Sequence, residues 1–200
     1  MITILKSGYW KIMEIFYKNK TIKLHLRELA RKTKLHEPST TKFLNNLEKE
    51  QILKSEKEGN LKKYSIKKNK ETFLLFTLFD IKRFNKLPET RKKAIEYFLN
   101  KLPEKPVYAV LFGSTAKENF TKNSDIDILL ITNKKIPTKE AEKEADALTA
   151  IKISTFQTEY KDFIKELRLR NDKVVQSAIN SGYPLINNIQ YYEDLSDERI

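Results

Sequence analysis

Apolar residues recur at helical spacing through the first fifty positions, and the pattern then changes to short extended runs. Residues 7–17 put Trp10, Ile12, Met13, Ile15 and Phe16 on one side of an amphipathic helix. Residues 24–33 predict a second helix with Leu26, Leu29 and Ala30 facing inward, and 34–36 a short turn. Residues 37–51 predict a third, with Pro38 tolerated in its first turn and Phe43, Leu44 and Leu47 as its core face. A strand starts at Ile52 and Leu53, Glu58-Gly59-Asn60 makes a hairpin turn, and 61–66 (LKKYSI) returns. Residues 67–70 (KKNK) are a hinge. The next segment, 71–86, is apolar on nearly every side through Phe73, Leu74, Leu75, Phe76, Leu78, Phe79, Ile81 and Phe84. A helix of that kind must be covered, either by lying between two domains or by pairing with its copy in a homodimer.

Leu87-Pro88 ends that helix, and 88–102 predict another. Two apolar runs follow, 107–112 and 126–131, the second entered through Asp125 and interrupted by Asp127. Beyond them come a turn (133–138), a helix (139–150) with a solvated acidic face, a strand (151–156) and helices over 158–169 and 171–181. Gly182 caps the last of these, 183–186 are briefly extended, and 190–200 form an acidic tail with no predicted element. The result is an α+β chain in three parts: a domain at 1–70, a linker or dimerisation helix at 71–87, and a domain with a small mixed sheet at 88–200.

Charge sharpens this division. The formal net charge is +12, and residues 1–70 hold 18 Lys and Arg against 7 Asp and Glu, a net of +11. The remaining 21 and 20 leave a net of only +1. A basic segment of that kind is the electrostatic footprint of a nucleic-acid partner. Cysteine is absent, which excludes disulfides and thiolate metal sites. The N-terminus lacks a signal-peptide pattern and no apolar run is long enough for a bilayer, so the expectation is a soluble cytoplasmic protein with no membrane partner. His25 and His36 are the only histidines and read as structural or surface residues.

The chemistry concentrates in LFGSTAKENFTKNSDIDILLI, 111–131. Strand alternation puts Asp125 and Asp127 on one face and Ile126 and Ile128 on the other. Two adjacent carboxylates at the start of a buried strand need a cation, for which Mg²⁺ is the natural candidate. Gly113 allows close backbone approach to a ligand, and Ser114 with the N–H groups after it suits a phosphate. The residues Gly113 and Ser114, with Ala116 and Lys117, followed by SDIDILL at 124–130, resemble the nucleotidyltransferase superfamily that includes DNA polymerase β. They look most like its minimal members, with Glu118 in place of a second glycine. The resemblance implies a polymerase β-like α/β domain in which Asp125 and Asp127 are catalytic and hold Mg²⁺ (or Mn²⁺). It also implies that Gly113, Ser114, Lys117 and Ser124 bind the nucleotide, an NTP with ATP foremost, although Lys117 reads equally as a surface lysine.

Three helices followed by a hairpin is the order of a winged helix–turn–helix. ELARKTKLHEPSTTKFLNNLEKEQILKSEKEGNLKKYSI resembles winged-helix regulators, with Gln51 where a glycine usually precedes the first wing strand. That resemblance implies double-stranded DNA as a partner. Ser39, Thr40, Lys42 and Asn46 would face the major groove, and Lys57, Asn60, Lys62 and Lys63 of the wing would meet phosphates or a minor groove. A winged helix used only for protein contact is the other reading.

The nucleotidyltransferase resemblance also implies a third carboxylate on the next strand. That strand reads IKISTFQ, with Lys152, Ser154 and Gln157 at the candidate positions and Glu159 as the nearest acid. Two functions therefore stand. One is a metal-dependent nucleotidyltransferase that moves NMP from NTP to a protein or small-molecule hydroxyl, antitoxin-like, with a toxin protein as candidate partner. The other is a DNA-binding transcriptional regulator whose degenerate nucleotidyltransferase domain only binds nucleotide or dimerises.

Overall fold

The computed structural model describes residues 8–198, and the chain divides into two compact units, Met1–Phe79 and Asp80–Ile200. The predicted helix start at Ser7 and the last two residues of the predicted tail lie outside the described residues.

The first unit contains α1 (Gly8–Lys18), β1 (Leu24–His25), α2 (Leu26–Thr33), α3 (Glu37–Lys49), β2 (Leu53–Glu58), β3 (Leu61–Ile66) and the start of α4 (Lys70–Asn85). β2 and β3 form the expected hairpin around Gly59 and Asn60, with Lys57 opposite Lys62 and Glu58 opposite Leu61. The strand β1 was not foreseen. It pairs antiparallel with β3 through Leu24–Tyr64 and His25–Lys63, giving a three-stranded sheet of order β1-β3-β2. Two residues are too few to show alternation, and their pattern predicts the first turn of the next helix instead.

Ile12, Phe16, Leu29, Leu44 and Phe76 are fully buried and form the centre of this unit. The first half of α4 is covered on one side only. Phe73, Phe76 and Phe79 are buried, with Phe79 stacked on Trp10 at 3.6 Å and on Tyr17 at 4.9 Å between ring centroids. On the same helix Leu74 is 53% exposed and Ile81 50%.

The second unit continues with α5 (Glu89–Lys101), β4 (Tyr108–Phe112), α6 (Gly113–Ala116), β5 (Ile126–Thr132), α7 (Lys139–Thr149), β6 (Ile153–Glu159), α8 (Tyr160–Leu169), α9 (Lys173–Ser181), β7 (Tyr183–Pro184) and α10 (Asn188–Glu198). The sheet order is β6-β5-β4-β7, parallel only between β5 and β6, so it is small and mixed. Ala109, Leu111, Ile128 and Leu130 share one core with Ala94, Ile95 and Phe98 of α5 and Ala141 and Ala145 of α7. Tyr108 meets Phe163 of α8 and Tyr191 of α10.

The acidic tail is corrected to a packed helix. Tyr191, Tyr192, Asp194 and Leu195 of α10 are buried. Asp194 accepts from Tyr108 at 2.6 Å and from Tyr160 at 2.9 Å, and Tyr192 donates to Asp80 at 2.9 Å. Aromatic hydroxyls on buried carboxylates satisfy both partners, which a reading of net charge alone cannot anticipate. Strand β6 also starts and ends later than expected, because its pairing with β5 continues to Thr132–Glu159. Gly182 does follow the end of α9, but with φ −83° rather than in the left-handed conformation.

Both positions where this chain departs from a glycine pattern carry left-handed backbone: Gln51 has φ +60° and Glu118 φ +59°. A side chain there costs about 1 kcal/mol that glycine avoids. Glu118→Gly is accordingly expected to raise the urea-unfolding free energy by about 0.5–1 kcal/mol, while Glu118→Ala, which keeps Cβ, gains nothing. Gln51→Gly should gain less, because it also loses the bond from Gln51 to the Glu48 carbonyl, 3.2 Å.

Candidate functional site

The register of β4 and β5 brings the two halves of the conspicuous stretch together. Phe112, the last residue of β4, lies opposite Asp127, so the chain turns at Gly113 directly beside that carboxylate. Gly113 has φ +68°, and a Cβ built there would stand 2.0 Å from Asp127 Oδ2. The glycine is thus required twice, by backbone conformation and by the space Asp127 occupies. The turn continues as a single helical turn, Gly113–Ala116, with Ser114 half-buried and Lys117 exposed.

Alternation places the acids as expected. Ile126 and Ile128 are fully buried in the core, while Asp125 and Asp127 are half-buried on the opposite face. The two carboxylates have different surroundings. Lys152 Nζ lies 3.0 Å and Ser154 Oγ 3.1 Å from the same Asp125 Oδ2. These donors hold Asp125 below its ordinary pKa, the lysine contributing most. Asp127 is raised instead, first by loss of solvent and then by the adjacent Asp125 charge.

The third acid is not on β6. Asp127 is in register with Ser154, and Ile126 with Ile153, which sets Lys152 beside Asp125. Glu159 pairs with Thr132 five residues further along, about 16 Å away at the usual strand rise. Its carboxylate is 2.7 Å from Lys161. Glu159 therefore cannot complete this site. Among the described residues no group of three or more His, Cys, Asp or Glu side chains converges in a way that could hold a metal. The donor set fits one divalent ion shared by Asp125 and Asp127, and does not fit two.

Ser124 is half-buried in the loop that leads into β5. Its hydroxyl accepts from Thr121 N at 2.9 Å and meets Thr121 Oγ1 at 3.1 Å, so it closes the loop before β5. The residue that sequence reasoning missed is Arg91. It is 3% exposed and donates to Thr115 Oγ1 at 2.8 Å, Thr121 O at 3.1 Å and Ser124 O at 2.7 Å, with its guanidinium 4.2 Å from the Phe120 ring centre. Thr115 in turn reaches Asp125 O at 3.3 Å. One buried guanidinium thereby ties α5 to the turn, the loop and the start of β5. A signal was present: Arg91, Ala94, Ile95 and Phe98 are all buried on α5 at helical spacing, with an arginine on an apolar stripe.

In the first unit Ser39, Lys42 and Asn46 are exposed on one side of α3, as expected. Thr40 is a correction. It is fully buried, with its hydroxyl on His36 O at 3.0 Å, because its position falls on the stripe that carries Leu44 and Leu47. Asn46 donates to Tyr9 Oη. On the hairpin Lys57 and Asn60 are exposed, whereas Lys62 is 2.8 Å from Glu48 and Lys63 2.8 Å from Glu58. No helix among the described residues is long and apolar enough to cross a membrane.

The second unit thus combines a small mixed sheet with a glycine turn set against a strand that carries paired aspartates. Residues 92–190 match the family model described as polymerase beta, nucleotidyltransferase, with which the mixed α+β fold of this unit is consistent. No curated protein matches. Among solved structures, a crystal structure of a toxin–antitoxin with AMP-PNP is 19% identical, covers 56% of this chain and 84% of its own, and superposes with a TM-score of 0.40. TrmBL2, an archaeal chromatin protein described as showing a novel mode of DNA binding, is 18% identical over 86% of this chain and 78% of its own, with a TM-score of 0.24.

Asp127 supplies a test of the electrostatics. A carboxyl whose folded pKa is raised contributes most to stability below its unfolded pKa, and that contribution is lost as pH rises through the folded value. Asp127→Asn is expected to stabilise the ligand-free protein at pH 7, with the gain shrinking as pH falls into the ordinary carboxylate range. Thermal unfolding between pH 3 and 8 measures it, and an unchanged or lower midpoint at pH 7 would contradict the assignment.

Proposed function

We propose that the second unit binds a nucleoside triphosphate, ATP foremost, with one Mg²⁺ (or Mn²⁺), and that the first unit is a winged helix–turn–helix that binds double-stranded DNA. The protein on this reading is a DNA-binding regulator that carries a nucleotide-binding domain of nucleotidyltransferase type. The observation that carries it is the Gly113 turn packed against Asp127, inside the stretch matched to the nucleotidyltransferase family.

Asp127 and the free oxygen of Asp125 would hold the ion, which supplies charge neutralisation for the phosphates. Ser114 and the backbone of the turn face the same end of β4 and would orient the phosphate chain, with exposed Lys117 as further counter-charge. Arg91 acts as a positioning residue by fixing the turn and the loop between them. Support for the DNA role comes from the order of three helices and a hairpin, the exposed Ser39, Lys42 and Asn46 on α3, and the basic balance of residues 1–70. Thr40 has no part in it.

NMP transfer from NTP to a hydroxyl on a protein, including a partner toxin, or on a small molecule is the second reading, favoured by the family match. It requires an acid to help activate the hydroxyl, and the register gives Ser154 at that place. The two readings separate when α-labelled NTP is incubated with pure protein, Mg²⁺ or Mn²⁺ and cell extract. We expect Asp127-dependent retention of nucleotide without covalent label, and label transfer gained in Ser154→Asp. Transfer by the unaltered protein, lost in Asp125→Ala/Asp127→Ala, would establish the enzyme instead.

DNA binding is tested by fluorescence anisotropy on duplex DNA across a salt series. Lys42→Ala and Lys57→Ala should each weaken binding and lower the salt slope by about 1. Lys62→Ala should do less, since its ammonium already meets Glu48. Absence of salt-dependent binding at about 50 mM salt would sink the DNA role.

A further inference from the structure

We infer that Lys152 is the resident counter-charge of the carboxylate pair and takes the place of a second divalent ion, so that the site accepts a nucleoside triphosphate with one ion only. The inference rests on the preceding reading that this unit binds Mg–NTP, and it specifies the charge arrangement of that site.

The parallel pairing of β5 and β6 builds a square of side chains on one sheet face. Asp127 neighbours Ser154, and Asp125 neighbours Lys152. Side chains in register on adjacent parallel strands point to the same face, so the two β6 residues meet the acids rather than the core. Lys152 Nζ and Ser154 Oγ converge on one atom, Asp125 Oδ2, at 3.0 and 3.1 Å. Two ions held about 3.5–4 Å apart need a shared carboxylate and further anionic ligands around each. Here one oxygen of the pair already accepts an ammonium and a hydroxyl, and the place of a third acid is held by Ser154. Glu159 is at the far end of β6 on Lys161, and among the described residues no three-acid cluster could compensate.

Lys152 is also suited to meet a ligand. Its side chain is 68% exposed, so its four-carbon stem can swing from Asp125 to a phosphate oxygen without any movement of the backbone. An ammonium offers a compact positive charge with three donors, which is what an ion would otherwise supply at that edge of the site. Ser154 remains on Asp125 during such a swing and keeps that carboxylate oriented.

The test counts ions as well as measuring affinity. Mn²⁺ bound in the presence of a non-hydrolysable ATP analogue is counted by electron paramagnetic resonance, and nucleotide affinity is measured by calorimetry on the same full-length protein. The unaltered chain should hold one Mn²⁺ with the nucleotide. Lys152→Ala should weaken nucleotide binding by roughly tenfold or more, as expected for loss of a charge-assisted bond, with Lys152→Arg restoring most of it. Lys152→Ala combined with Ser154→Asp should hold two Mn²⁺. Unchanged thermal midpoints in the Lys152 variants would show that an exposed residue has been altered without unfolding the domain. Two Mn²⁺ on the unaltered chain, or an unchanged affinity in Lys152→Ala, would overturn the inference while leaving nucleotide binding intact. Failure of every variant and of the unaltered chain to retain nucleotide would instead sink the underlying reading of the site.

Discussion

The carboxylate of Asp127 has room only because residue 113 lacks a Cβ. That close approach, 2.0 Å for a Cβ built at Gly113, sets the end of β4 directly against the start of β5. Because Phe112 is opposite Asp127 in the antiparallel register, a shift of one residue would bury both aspartates in the core and expose Ile126 and Ile128. The apolar face of β5 and the packing against α5 and α7 thus hold the acids at the surface end of the strand. The cost of half-burying these carboxylates is offset by packing that extends well beyond the site.

Arg91 provides the second half of that constraint. Its donors satisfy Thr115, Thr121 and Ser124 at once, so the segment between the turn and β5 is tied down without a regular element of its own. Burying a guanidinium costs several kcal/mol of solvation, which only a full set of acceptors offsets. Its position against the loop carbonyls explains why a segment rich in polar residues, NFTKNS, can be ordered beside two carboxylates. Site geometry is thereby made dependent on α5, an element that itself contributes no group to the chemistry.

Much of this was legible in the sequence, for identifiable reasons. The alternation Asp125-Ile126-Asp127-Ile128 predicts both the face of the acids and the strand that carries them, since period-two patterning admits one solution when the other face is apolar. The three amphipathic helices and the Gly59 turn were legible for the same reason. What was not legible depends on partners distant in sequence. β1 is too short for any period, and it exists through its pairing with Tyr64 and Lys63. The acidic composition of 190–200 gives no sign of helix α10, because Asp194 is a buried acceptor only through Tyr108 and Tyr160, distant in sequence. Thr40 looked like a surface polar residue because a hydroxyl can be buried at low cost when it bonds the carbonyl four residues back, as it does to His36.

The same distinction bears on the missing acid. From sequence, Glu159 remained a candidate because it lies only five positions beyond Ser154, and proximity in sequence resembles proximity in space. A strand removes that equivalence, since five residues on β6 span the sheet from one edge of the site to the opposite end. In the β5–β6 register an ammonium and a hydroxyl, those of Lys152 and Ser154, stand beside Asp125 and Asp127. An anion there would raise the repulsion within the pair, whereas the ammonium lowers it by bonding Asp125 and by opposing, to a smaller extent, the rise that burial imposes on Asp127. The difference in environment between Asp125 and Asp127 follows from this arrangement.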